Sequence, residues 1–194
     1  KKDAEGIVNR GGILRSAAAV VLPGKSTETS SIHKFDRSLI KIGAAKGIDN
    51  LALSYTASAS QIENLRSLCM EMSYFPRITA KIEIAAALKN LREISTAADE
   101  LWFCRGDLAA HIPLKEIGLW QDSVIQAAKD ARKPIIIAGQ VFHHLTENEN
   151  ATRSEVVHLY YLQKQGANGI VLSDETAIGN NPQNAFAQVI NLLK

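Results

Sequence analysis

The sequence predicts an α/β fold of about five parallel βα units. Three observations carry that expectation. Five short apolar runs, at residues 51–54, 78–82, 101–104, 134–138 and 169–172, start roughly 22–35 residues apart, the length of a βα unit. Each run is apolar on successive residues, as parallel strands are when both faces are covered. The segments between them carry apolar residues at a period near 3.6, which marks helical crossovers.

The elements follow in order. Residues 6–14 have the pattern of a hairpin with its turn at 9–12, and Leu22-Pro23-Gly24 then breaks the chain. Residues 25–31 are polar and predict a loop. The chain thus divides into an N-terminal hairpin or linker, 1–24, and a main α/β unit, 25–194. A helix over 32–46 places Phe35, Leu39 and Ile42 on one face and ends at Gly47. The second helix, 62–72, repeats the pattern with Leu65, Leu68 and Met72. A third, 114–132, carries Ile117, Trp120, Val124 and Ala128 and stops before Pro134. The fourth, 152–165, carries Val156, Leu159 and Leu162 and ends at Gly166. An eight-fold barrel needs about 250 residues. Five units in 194 residues therefore form either an open sheet or five-eighths of a barrel, and spacing alone does not decide.

Composition narrows the function classes. Hydrophobic residues make up 46% and charged residues 22%, with a net charge of +2. No basic stripe suggests nucleic acid or a membrane surface, and no apolar stretch is long enough to span a bilayer. The chain opens on Lys1-Lys2-Asp3 with no apolar segment behind it, so no signal peptide is expected. Two cysteines, Cys69 and Cys104, predict reduced thiols and a cytoplasmic setting.

Chemistry in parallel α/β folds gathers at the C-terminal ends of strands. Lys81 and Glu83 stand two residues apart at one such end, a spacing that points both side chains to one face. The next run ends in Arg105-Gly106-Asp107, bringing a second carboxylate to the same rim. Mg²⁺ commonly takes one or two protein carboxylates and completes its shell with water and substrate oxygens. Glu83 and Asp107 are therefore candidate metal ligands, with Lys81 beside them as a point charge or acid. The competing reading is a set of rim salt bridges, which contribute little. Gly106-Asp107-Leu108 also has the look of a short helix start, whose amides suit a carboxylate or phosphate, or which Asp107 simply caps. Ser173-Asp174-Glu175 reads as mainly structural, with Glu175 available to a basic partner. His143 and His144 are adjacent and diverge on a helix, so zinc is not expected. Cys104 lacks a paired histidine and is expected to be a buried thiol, and Trp102, Phe103 and Trp120 are expected in the core.

These segments together resemble the pyruvate kinase family. The likeness is carried by Lys81-Ile82-Glu83, Arg105-Gly106-Asp107-Leu108, Ile112-Pro113, Lys133-Pro134, Ala138-Gly139-Gln140, Thr152-Arg153-Ser154-Glu155 and Leu172-Ser173-Asp174-Glu175-Thr176-Ala177, in the family's order and near its spacing. Leu22-Pro23-Gly24 resembles the exit from the family's small lid domain, and Leu51-Ala52-Leu53-Ser54 its fourth barrel strand. The resemblance implies strands four to eight of a (β/α)8 barrel. It implies that Lys81 is catalytic and stabilises the phosphoryl group in transit, and that Glu83 and Asp107 hold Mg²⁺. It implies that the Gly106 and Asp107 amides cradle the carboxylate of pyruvate or phosphoenolpyruvate, with Gly139 at a further substrate-side position. ADP and ATP are the implied partners of the transfer. K⁺ is a family cofactor, but the residues for it, for the phosphate and for much of the nucleotide have no counterpart here.

Departures accompany the likeness. Gly139 replaces a threonine, Ala109 and His111 replace a glycine and a glutamate, Ile84 replaces an asparagine, and Asp174 replaces a glycine. In the helix after Gln140, Val141-Phe142-His143-His144 replaces the family's Met-Leu-Glu-Ser. Three functions are therefore carried forward: part of a Mg²⁺-dependent phosphotransferase, a non-catalytic scaffold that keeps the barrel geometry, and a Mg²⁺-dependent keto-acid aldolase or lyase. The chain alone is expected to be inactive. Bare sheet edges also lead us to expect a homo-oligomer, or assembly with the missing barrel segments.

Overall fold

The computed structural model describes residues 7, 11–13 and 32–193. Most of the expected hairpin, the break at Leu22-Pro23-Gly24 and the polar loop lie outside them. Five strands form one parallel sheet: β1 (Asn50–Leu53), β2 (Arg77–Ile82), β3 (Glu100–Cys104), β4 (Ile135–Ala138) and β5 (Gly169–Val171). Their spatial order is their chain order, β1-β2-β3-β4-β5. An open doubly wound sheet reverses its order at a switch point. None exists among the described strands, so the sheet has the order of a barrel arc.

Sequential right-handed crossovers bring the connecting helices to one side of such a sheet. Helices α2 (Ala59–Glu71), α4 (Leu91–Ala97) and α6 (Ile117–Ala131) indeed pack side by side. Beneath them Ile78, Ala80, Ile82, Leu101, Phe103, Ile135 and Ile137 are all but fully buried. On the opposite face Lys81 pairs with Trp102, and Trp102 with Ile136, and all three are only half-buried. The expectation that both faces are covered therefore holds for one face. The second face corresponds to a barrel interior, which five strands do not enclose.

Local sequence sets the helix ends. Helix α1 (Lys34–Ala45) starts where the His33 amide donates to Asp36 at 2.9 Å. It ends on Gly47 at φ +65°, as expected. Its Phe35, Leu39 and Ile42 do share a face, but they are 72%, 50% and 55% exposed, while Ile40 and Gly43 pack inward. Leu39 and Ile42 line an open groove of about 970 Å³ between α1, β1 and α2. α2 begins three residues before its expected start, because Gln61 accepts from the Ala57 and Ser58 amides at 2.6 and 3.3 Å. Helices α3 (Ala85–Lys89) and α4 are too short for a clear period and were not expected; Ala87 and Ile94 are nonetheless fully buried.

Between β3 and β4 the chain forms α5 (Arg105–Leu108), a single 3-10 turn over Leu114–Glu116, and α6. α6 closes on Arg132 at φ +55° before Pro134. α7 (Arg153–Gln165) has a reciprocal cap, with Thr152 N–H donating to Glu155 at 2.8 Å and the Glu155 amide to Thr152 Oγ1 at 3.2 Å. α8 (Asp174–Ala177) and α9 (Pro182–Leu193) complete the chain. α9 was not expected; Pro182 stands at its first position and Ala185 and Val189 anchor it. No helix among the described residues is long and apolar enough to cross a membrane.

Candidate functional site

The C-terminal ends of β2, β3 and β4 lie level, because the register aligns Ile82 with Phe103 and Cys104 with Ala138. The residues just beyond these ends therefore share one rim. Lys81 and Glu83 face the same way, as their spacing predicts, and Lys81 Nζ lies 2.6 Å from Glu83 Oε1. The pair is unequally buried: the lysine side chain is 23% exposed, the glutamate 1%. The other Glu83 oxygen accepts the Tyr55 amide at 2.7 Å. Tyr55 reaches it by adopting φ +53° just after β1. Lys81 also donates to Ser54 Oγ at 3.3 Å. Thus the ends of β1 and β2 are tied together through one buried carboxylate.

Burial works to lower the Lys81 pKa, but the hydrogen bond and charge of Glu83 outweigh it, helped by Cys104 and Asp107, and the net direction is up. The ammonium therefore persists well above neutral pH. Asp107 sits in α5, exposed, and close enough to act on both Lys81 and Cys104 through its charge. Of the cation and two anions expected at one rim, Lys81 and Glu83 are in direct contact, and Asp107 reaches Lys81 through its charge. Glu83 and Asp107 each offer hard carboxylate oxygens, the donor chemistry Mg²⁺ prefers. No cluster of three or more His, Cys, Asp or Glu side chains with metal-binding geometry occurs among the described residues. A pair suffices for an ion that keeps several water or substrate oxygens.

Cys104 is buried, as expected. Burial and the adjacent Glu83 push its thiol up to about 12, against the opposing charge of Lys81. Burial also raises Cys69. A thiol reagent at pH 8 should accordingly modify Cys104 at least about a hundredfold more slowly in the native chain than after unfolding, because the thiolate is the nucleophile. Equal rates in the two states would contradict the burial.

Gly139 follows β4 at φ +88°, and a Cβ placed there would come within 3.3 Å of the Gly106 nitrogen. The two rim glycines therefore approach through bare backbone. Gly139→Ala should cost about 1–2 kcal/mol from the positive φ alone. A calorimetric melt should show it as a fall of roughly 2–8 °C; an unchanged melt would show that the turn relaxes freely.

The sequence did not reveal what holds this approach. Arg105, the first residue of α5, donates from Nε to the Gly139 carbonyl at 2.9 Å and from Nη2 to the same oxygen. Its Nη1 lies 3.5 Å from Gln121 Oε1 and 3.2 Å from His158 Nε2. Burial lowers the Arg105 pKa, and the charge of Glu175 opposes that shift. Glu175 is 1% exposed and accepts the Phe142 amide at 3.1 Å and the Ser173 amide at 2.7 Å. The structural role expected for the Ser173-Asp174-Glu175 segment thus has a definite form. Its basic partner acts through space, from 70 residues upstream in a different strand end. Trp102 and Trp120 are only partly buried, whereas Phe103 is fully buried.

Residues 1–186 match the family model described as pyruvate kinase, barrel domain. A pyruvate kinase of Thermoplasma acidophilum is 33% identical over 174 residues, covering 90% of this chain and 32% of that protein. A pyruvate kinase of Corynebacterium efficiens is 29% identical over 187 residues, covering 96% of this chain and 40% of the relative. A chloroplastic pyruvate kinase isozyme A of Ricinus communis is 37% identical over 150 residues, covering 76% and 26%. The chain spans between about a quarter and two-fifths of the length of these relatives. With a parallel sheet in barrel order and a lysine–carboxylate rim in the matched region, the chain belongs to the pyruvate kinase family, to whose barrel domain residues 1–186 correspond.

Proposed function

We propose that this chain carries the carboxylate- and metal-binding part of a pyruvate kinase site. In the complete protein that site supports phosphoryl transfer between phosphoenolpyruvate and ADP, giving pyruvate and ATP. The observation that carries the reading is the Lys81–Glu83 pair at 2.6 Å on a rim that also bears Asp107. Glu83 and Asp107 would hold Mg²⁺, and Gly106 and Gly139 would lie on the substrate side. Bound Mg²⁺ supplies positive charge to the enolate and carboxylate oxygens of the substrate. Lys81 contributes a fixed ammonium for the phosphoryl group in transit; its raised pKa keeps it charged at working pH. Buried Glu83, anchored by the Tyr55 amide, holds that ammonium in place.

The residues that the resemblance assigns to K⁺, phosphate and nucleotide would come from other barrel segments. β1 and β5 are the outer strands of the described sheet, and further strands or another chain would cover them. The 194-residue chain alone should therefore bind but not turn over. Calorimetric titration with oxalate, a planar dicarboxylate stand-in for the enolate of pyruvate, should show binding with Mg²⁺ and none without it. A folded chain that ignores oxalate in millimolar Mg²⁺ would refute the reading. Gly139, His111 and Asp174 favour the non-catalytic alternative, and phosphoenolpyruvate-dependent ATP formation by the complete protein would exclude it.

A further inference from the structure

Four separate segments converge on the Arg105 guanidinium. The β4 turn offers the Gly139 carbonyl, α6 offers Gln121, α7 offers His158 and α8 presents the charge of Glu175. A guanidinium has donors only. A nitrogen 3.2 Å from Arg105 Nη1 must therefore present a lone pair, which assigns His158 Nε2 as acceptor and leaves its proton on Nδ1. We propose that His158 is a positioning residue. Its neutral ring anchors Arg105 on the Gly139 carbonyl and so fixes the β3 and β4 turns, with Gly106 and Asp107, in the arrangement that receives the substrate carboxylate and its metal. This role rests on the function proposed above; the anchor itself does not.

The chemistry makes the anchor conditional. Protonating His158 would replace an acceptor by a donor and set an imidazolium against a guanidinium. Burial, then the charge of Arg105, hold the His158 pKa below its ordinary value of 6.5. The charged group acting on the ring is Arg105, whose Nη1 also lies 3.5 Å from Gln121 Oε1 and whose guanidinium feels the charge of Glu175. For a group whose folded pKa is depressed by burial of the neutral form, the unfolded state binds the proton first. Stability is thus complete above pH 6.5 and falls as the pH drops towards the folded pKa. In the folded chain the anchor should loosen only as the pH falls through the lowered His158 pKa itself.

The test uses the whole chain and two variants. His158→Gln keeps an acceptor at the reach of Nε2 but cannot titrate; His158→Leu removes the acceptor. In the wild type, the amide resonances of Gly106 and Gly139 should shift with pH at the midpoint of the His158 ring protons. That response should vanish in His158→Gln. Mg²⁺-dependent oxalate affinity in the wild type should fall about tenfold or more between pH 7.5 and a pH below the observed His158 midpoint. It should change much less in His158→Gln and be weak at both pH values in His158→Leu. Glycine resonances that ignore the His158 titration would overturn the proposal, whatever oxalate does. Resonances that follow it in a chain that never binds oxalate would uphold the anchor and overturn the functional reading instead. The wild-type titration needs no variant to fold.

Discussion

Replacing Glu175 by alanine should lower the stability of the chain by about 3 kcal/mol. The carboxylate is 1% exposed and is the acceptor for the Phe142 and Ser173 amides. A buried donor left without a partner costs about 1–3 kcal/mol, and this substitution strands two of them. It also removes the anion that faces Arg105, already disfavoured by burial. For a domain of this size the melting temperature should fall by roughly 6–12 °C in a calorimetric scan. Glu175→Gln, which keeps one accepting oxygen and loses the charge, should lose about half as much. A fall of less than 1 °C for the alanine variant would mean that water reaches both amides.

The second large effect concerns binding and leaves the fold alone. Asp107→Asn keeps the shape of the side chain and removes its charge. Asp107 is exposed, so stability should change by no more than about 0.5 kcal/mol. Mg²⁺-dependent oxalate affinity should nevertheless fall about a hundredfold, because a neutral amide is a poor substitute for one of two carboxylates on a hard cation. Calorimetry on the folded variant measures it. Wild-type affinity in the variant would remove Asp107 from the metal site and leave Glu83 alone there. The contrast between the two substitutions separates the buried acid that holds the rim together from the exposed acid proposed to bind the metal.

Family membership sharpens what these experiments can teach. Lys81, Glu83 and Asp107 lie within the span that matches the barrel domain, and so do Gly139, His111 and Asp174, where the resemblance expects other residues. At Gly139 the geometry shows why glycine fits. A backbone at φ +88° and a close approach to Gly106 suit glycine, and Arg105 grips the carbonyl that this conformation presents.

The strands and most of their crossovers were legible because their signals are local. Successive apolar residues marked all five strands, with no end shifted by more than one residue. Thr152 with Glu155 and Gly166 bracketed α7, and Gly47 closed α1. α3 and α4 escaped because five and seven residues hold too little of a period. α9 escaped although Pro182 announced its start, since only Ala185 and Val189 of its apolar residues are fully buried. Lys81 and Glu83 could be placed on one face from their spacing alone, for alternation along a strand is a property of the backbone.

What the chain order determined without any help was a succession of parallel strands with charges at their ends. Strand spacing did not decide between an open sheet and a barrel arc; the tertiary structure did, because pairing order depends on contacts between segments far apart in sequence. It alone exposed the Phe35, Leu39 and Ile42 stripe, since which face of a helix is buried depends on what stands opposite. It alone joined Arg105, Gly139, His158 and Glu175, drawn from four segments, around one guanidinium. Periodicity is written within a segment; the register that levels three strand ends is written only between them.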